Sequence, residues 1–265
     1  MKPRNQQRSF NCLVLGVAII LTLLLTSLSR ADTITLVADE WCPINCQPDA
    51  AQPGYAVEIA GQIFEKAGHK VEYKTLNWSK SIEDARKGLY DGIIGAAKEE
   101  AEDFVFPETE IGATANSFFV VKQSDWSFEN LDSLGHVCTG IIKSYEYGDE
   151  FDEYFARNKD NPQKVQEVSG DNPLEKNLRK LVGGRIDVVI EDRPVADYTI
   201  KRLGFQEQIK YAGNDGEPTD FFIAFSPRNP KAAEYAALFS KGLEELRDNG
   251  RLLTILSEYG LQDWR

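Results

Sequence analysis

Apolar residues recur along this chain in two rhythms, as short alternating or unbroken runs and as longer stretches spaced three to four apart. Thr33–Ala38 (TITLVA) reads as a strand that opens into the Pro-, Asp- and Cys-rich loop Asp39–Gly54. In Tyr55–Ala67, the sets Tyr55, Ile59, Ile63 and Ala56, Ala60, Phe64, Ala67 share one face of a helix, which Gly68 stops. Val71, Tyr73 and Thr75 alternate with Lys70, Glu72 and Lys74, the period of a half-exposed strand. The pattern then predicts a helix over Ser79–Lys87, ended by Gly88, and a buried strand over Gly92–Ala97. The second half repeats the theme. Strands are expected at Phe118–Val121, Val137–Ile142, Ile186–Ile190 and Phe221–Phe225. Helices are expected at Glu150–Arg157, Pro173–Val182, Val195–Leu203 and Lys231–Leu261, the last interrupted at Asn249-Gly250. Strand and helix alternate, so the chain reads as α/β, with mainly parallel sheet and helices on both faces.

One internal echo divides the chain. Gly88-Leu89-Tyr90-Asp91-Gly92-Ile93-Ile94 parallels Gly184-Arg185-Ile186-Asp187-Val188-Val189-Ile190, each a helix end, a glycine, two residues, an aspartate and a buried strand. Two copies of one unit predict two lobes of similar build; the bland reading is chance, since helix–Gly–strand is common. Ligands of such sheets bind beyond the carboxyl ends of strands. The loops after Ala38, Ala97, Ile142 and Ile190 are therefore expected to face one cleft.

Residues 1–31 read as a signal peptide, removed on export: Lys2, Arg4 and Arg8, an apolar run Cys12–Leu28, then Ser29-Arg30-Ala31. A retained membrane anchor is the competing reading, because the run is nearly long enough to span. Without those residues the chain holds 26 Lys+Arg against 42 Asp+Glu, a net charge of −16. So acidic a chain argues against nucleic acid or anionic lipid as partner. Export to the periplasm places Cys42, Cys46 and Cys138 in an oxidising compartment. Cys42 and Cys46 are the easier closure, leaving Cys138 as a buried thiol. Zinc is disfavoured, since His69 and His136 lack ligand spacing. The same two histidines cannot be paired with a nucleophile by spacing, and Gly183-Gly184 ends a helix instead of opening one. No enzyme, metal or cofactor is expected.

Several pieces taken in order resemble the family-3 extracellular solute-binding proteins, the polar amino-acid receptors of ABC importers. They are Gly54-Tyr55, Gly88-x-x-Asp91, Phe104-x-Phe106-Pro107, Tyr145-x-Tyr147-Gly148, Asn177-Leu178-x-x-Leu181, Gly184-Arg185-x-Asp187 and Glu191-Asp192, within residues 33–261. The resemblance implies a two-lobed, type II periplasmic-binding-protein-like fold with a hinge of two crossing strands near Val120–Lys122 and Gly216–Asp220. Lobe one would hold 32–119 plus 220–265, and lobe two 124–215. It also implies a monomer that binds a small molecule and delivers it to an inner-membrane ABC permease.

Amino-acid binders of this type hold the ligand's α-carboxylate with an arginine after the third strand and its ammonium with an acid after a lobe-two strand. Here the acids are present, Glu191 and Asp192, but the arginine is replaced by Ala97-Lys98-Glu99-Glu100. The expected ligand is a small polar solute, an amino acid or an amine-like molecule, but the departure counts against a standard α-amino acid, and Lys98 would serve only as a point charge. Trp41 and Trp78 are expected as aromatic walls, with packing under a loop as the alternative. Tyr55 opens the first helix and joins the candidate ligand set. Tyr145 and Tyr147 sit at a helix start, whose N–H groups favour an anionic or polar atom. Lys80 either points into the cleft or is merely solvated, Asp192 is a ligand contact or a helix cap, and Glu99–Asp103 reads as a solvated turn, with a divalent-cation site as its alternative. Two other roles share the lobe architecture. One is a periplasmic sensor module that signals through a membrane partner. The other, the lobe pair of peptidoglycan lytic enzymes, is set aside on the expectation that the chain ends at Arg265 without a catalytic domain.

Overall fold

The computed structural model describes residues 31–216 and 218–265, so most of the expected signal peptide lies outside the described residues. The described residues build two five-stranded sheets. The first takes β1 (Thr33–Ala38), β2 (Lys70–Thr75), β3 (Gly92–Ala96), β4 (Gly112–Thr114) and β10 (Thr219–Phe225), in the order β2-β1-β3-β10-β4. The second takes β5 (Ser117–Val121), β6 (Thr139–Ile142), β7 (Val165–Val168), β8 (Val188–Glu191) and β9 (Ile209–Asn214), in the order β7-β6-β8-β5-β9. The two orders are the same topology written twice. In each, three strands run parallel, and the strand that crosses from the other half joins them antiparallel. The sheets are thus mixed, not mainly parallel throughout, because a crossing strand must return against the direction of the strands it meets.

The sequence echo falls on β3 and β8, the third strand of each sheet. Its aspartates do the same work in both. Asp91 Oδ2 accepts a bond from the Thr35 amide at 2.8 Å, and Asp187 Oδ2 accepts one from the Cys138 amide, also at 2.8 Å. Each ties the entrance of its strand to the parallel neighbour, Thr35 lying in β1 and Cys138 just before β6.

Among the described residues, seven α-helices flank the sheets: α1 (Tyr55–Lys66), α2 (Trp78–Arg86), α3 (Asp149–Asn158), α4 (Pro173–Val182), α5 (Arg193–Leu203), α6 (Ala232–Asp248) and α7 (Arg251–Glu258). The apolar face of α1 is buried as its spacing predicts, and Phe64 meets Phe225, Tyr235 and Phe239 at ring-centroid distances of 5.9–6.2 Å. Burying one such side chain stabilises the fold by about 1.5–3 kcal/mol. On α4, Leu174, Leu178 and Leu181 form the buried stripe read from the sequence. None of the described helices is long and apolar enough to cross a membrane. Cys42 and Cys46 form a disulfide, and Cys138 is a buried free thiol.

Among the described residues the chain changes sheets between β4 and β5, at 115–116, and again between β9 and β10. The first crossing lies earlier than Val120–Lys122, where it was expected, because all of β5 pairs with β8 and β9 of the second sheet. Residues 117–119 therefore belong with the second half. Three strands escaped the sequence pattern: β4, β7 and β9. All three are sheet edges, where only one side is paired and the apolar signal is weak.

Candidate functional site

All four loops expected at a cleft meet there. A cleft of about 340 Å³ is lined by Asp39 and Trp41 after β1, by Ala97 and Glu100 after β3, by residues 145–149 after β6, and by Glu191 and Asp192 at the end of β8. The two crossings add Thr114 and Asn116 on one side and Thr219–Phe221 on the other. The volume suits a small ligand.

Side chains reach across from one sheet's loops to the other's. The Trp41 indole donates to Glu191 Oε1 at 2.9 Å, the Tyr145 hydroxyl donates to Asp39 Oδ2 at 2.6 Å, and the Thr114 hydroxyl donates to Asp192 Oδ2 at 2.9 Å. Trp41 is seated on Gly95, whose φ of +99° favours glycine, although a Cβ there would only touch the ring at an ordinary 3.5 Å. Its ring meets Phe221 edge-on at 5.1 Å. Trp78 donates to Glu100 Oε1 at 2.9 Å, and the Ala97 amide donates to the other oxygen at 2.8 Å.

Eight lining residues are carboxylates, and none is Lys or Arg. Four of the eight are held away from water. Glu191 is 4 % exposed, Asp39 7 % and Asp192 9 %, while Glu100 is partly buried. Burial lifts Glu191 and Glu100 to about 8, and Asp39 and Asp192 to about 6, against the neutral donors that pull the other way. Neighbouring acids add to the rise: Asp192 and Asp39 on Glu191, Glu146 and Asp39 on Glu100. Glu191 Oε1 accepts from Trp41 and from the Asp192 amide, but its buried Oε2 has no partner among the described residues. An acceptor left so costs free energy unless a ligand supplies the donor.

The structure sorts the candidate residues. Trp41, Trp78, Tyr145, Tyr147, Glu191 and Asp192 come together in the cleft. Tyr55, Lys80 and Lys98 do not line it. Tyr55 is buried behind it, against Trp264 and Tyr259 at 6.3 Å each. Lys80 pairs with Asp84 one helical turn on, at 2.8 Å. The Lys98 ammonium sits 4.8 Å from the Phe222 ring centroid. The Tyr147 amide ahead of α3 is taken, donating to both oxygens of Asp152 at 3.2–3.3 Å, and the first turn of α3 itself is acidic and carries no side-chain cap. Asp192 is the N-cap of α5, accepting from the Val195 amide at 3.4 Å, and it still faces the cleft. The run Glu99–Asp103 is more than a solvated turn, since Glu100 points inward. Asp39, Glu146, Asp149 and Asp220 escaped the sequence reading; Asp39 and Glu100 follow strand ends, where the carboxyl-end rule could have found them. Among the described residues no group of three His, Cys, Asp or Glu is placed to hold a metal ion.

Solved structures of similar fold include a histidine kinase sensor domain with similarity to periplasmic binding proteins, at TM-score 0.73 and 21% identity over 88% of this chain and 99% of that one. An ancestral arginine-binding protein bound to arginine gives TM-score 0.68 and 23% identity over 86% and 98%. The fold is thus the two-lobed, periplasmic-binding-protein-like type II α/β fold. In sequence, the chain is 19% identical over 211 residues to the L-cystine-binding protein TcyA of Bacillus subtilis, covering 79% of this chain and 73% of that protein. It is 24% identical over 214 residues to a probable amino-acid ABC transporter-binding protein of Haemophilus influenzae, covering 78% and 75%. The profile of the bacterial extracellular solute-binding proteins, family 3, matches residues 34–262. The chain belongs to that family.

Proposed function

We propose that this protein captures a small solute bearing an ammonium group in the periplasm and hands it to an ABC permease of the inner membrane, acting as a monomer with no chemistry of its own. The observation that carries the reading is the cleft lining, eight carboxylates without one basic side chain. Buried carboxyl groups stay protonated or find a positive partner, and a cationic ligand would be that partner. The signal peptide of residues 1–31 would bring the protein to that compartment. The relatives named for L-cystine and amino acids support a small nitrogenous solute as cargo. The two crossings, from β4 to β5 and from β9 to β10, would act as the hinge between lobes. Trp41, Tyr145 and Thr114 would hold the closed form through their bonds across the cleft.

A thermal-shift screen at pH 8 over cationic, zwitterionic, neutral and anionic small solutes tests this, because a ligand raises the melting temperature through binding to the folded state. Amines are expected to give the largest shifts. If sugars or dicarboxylates stabilise the protein and no amine does, the reading is wrong. The likeness to a histidine kinase sensor domain favours one second reading, a receptor whose closure signals to a membrane partner. Crosslinking in whole cells, followed by identification of the captured membrane protein as a permease or a kinase, separates the two.

A further inference from the structure

The cleft presents two acidic poles. One is Glu191 with Asp192, at the end of β8 in the second sheet. The other is Glu100 with Asp39, from the loops after β3 and β1 in the first sheet. Every hydrogen bond that reaches these four carboxyl groups comes from a neutral donor: an indole, a hydroxyl or a backbone amide. No Lys or Arg among the described residues pairs with any of them. The unpartnered Oε2 of Glu191, on a side chain 4 % exposed, is a second and independent sign of a missing donor. A single ammonium placed there would satisfy it and leave the Glu100 pole uncompensated.

A ligand carboxylate, in contrast, has nowhere to go. The lining holds no cation. Three helices begin at the cleft wall, two of them capped by the chain itself and the third opening on acids. Asn77 caps α2 through the Lys80 amide at 3.1 Å and Asp192 caps α5, while α3 has no side-chain cap but carries Asp149, Glu150 and Asp152 in its first turn. An incoming carboxylate would meet like charge where a zwitterion needs a clamp.

We infer that the cargo is a small dication without a carboxylate, a linear diamine or short polyamine, one ammonium at each pole and its methylene chain along Trp41 and Phe221. This rests on the ammonium-binding function proposed above and names its ligand class.

Calorimetry at pH 8 with 1,4-diaminobutane, n-butylamine, L-lysinamide and L-lysine tests it. The diamine should bind at least about 100-fold tighter than the monoamine, as expected for adding a second desolvated charge pair. L-lysinamide should bind at least about tenfold tighter than L-lysine, a like-charge penalty of that order. Glu191→Gln, which keeps the acceptor for Trp41, should narrow the diamine-to-monoamine ratio at least about tenfold. The inference is overturned, and the ammonium reading survives, if L-lysine binds as tightly as L-lysinamide or n-butylamine comes within threefold of the diamine, as roughly one paired charge would allow. If none of the four amines binds, or calcium chloride alone saturates the site, both fall.

Discussion

Replacing Glu191 by Gln should make the ligand-free protein more stable and a worse binder. Glu191 is fully enclosed at the end of β8, and burial raises it from 4.5 to about 8. The charged groups nearest it are acids, Asp192 and Asp39, and the hydroxyls of Tyr145 and Tyr147 face it from the loop after β6. Because the folded value lies above the unfolded one, the folded state holds a proton that the unfolded chain gives up between pH 4.5 and 8. Stability is therefore lost as pH rises through that window. At pH 7 the difference is 2.5 pH units above the unfolded value, at most about 3 kcal/mol, and at pH 5 it is under about 1 kcal/mol. Glutamine can accept the same bonds from Trp41 and the Asp192 amide but has no proton to bind. The variant should gain up to about 3 kcal/mol at pH 7, or roughly 6–12 °C in melting temperature for a chain of this size, and little at pH 5. Thermal denaturation of both proteins without ligand, at the two pH values, measures it. An equal gap at both pH values would mean packing alone, and a less stable variant at pH 7 would refute the idea that Glu191 is held at a cost.

Trp41→Phe keeps the ring against Phe221 and removes the indole donor to Glu191; it should cost about 1–2 kcal/mol of closed form. Weaker amine affinity and a larger radius of gyration in solution scattering would show this, and unchanged affinity would refute it. Asp192→Ala should cost about 2–4 kcal/mol of affinity by calorimetry, the usual loss when a buried charge pair is broken. If it binds like the parent, Asp192 is only the cap of α5. Lys98→Ala should change affinity by less than about 0.5 kcal/mol, since that ammonium lies over Phe222 outside the cleft lining; a large loss would place an anion-binding role back in the site.

Much of this architecture was legible because it rests on local rules. The apolar faces of α1 and α4 and the central strands β1, β3 and β8 announce themselves by spacing, and the repeated Asp91 and Asp187 marked equivalent strand entrances before any pairing was known. The carboxyl-end rule then placed the four cleft loops. What the sequence hid was pairing and direction. The edge strands β4, β7 and β9 carry too little apolar pattern to stand out, and the crossing at 115–116 depends on which sheet β5 joins. In the site, two lysines near strand ends looked like cleft cations, yet Asp84 and the Phe222 ring hold them elsewhere. Glu100 sits in a charged run that reads as solvent-exposed; only the Trp78 indole and the Ala97 amide turn it inward. No spacing rule encodes such long-range choices.

The central claim is that the cleft holds buried carboxyl groups waiting for positive charge, and proton release on binding tests it most directly. At pH 7 Glu191 and Glu100, raised to about 8, are largely protonated in the free protein. An ammonium placed beside them favours the ionised form and drives the protons off. Calorimetric titration with the amine of largest thermal shift, repeated in buffers of different ionisation enthalpy, counts them. The account predicts release of about one to two protons at pH 7 and affinity that rises from pH 5.5 to pH 8.5. Binding with no proton release, or with proton uptake, would contradict it.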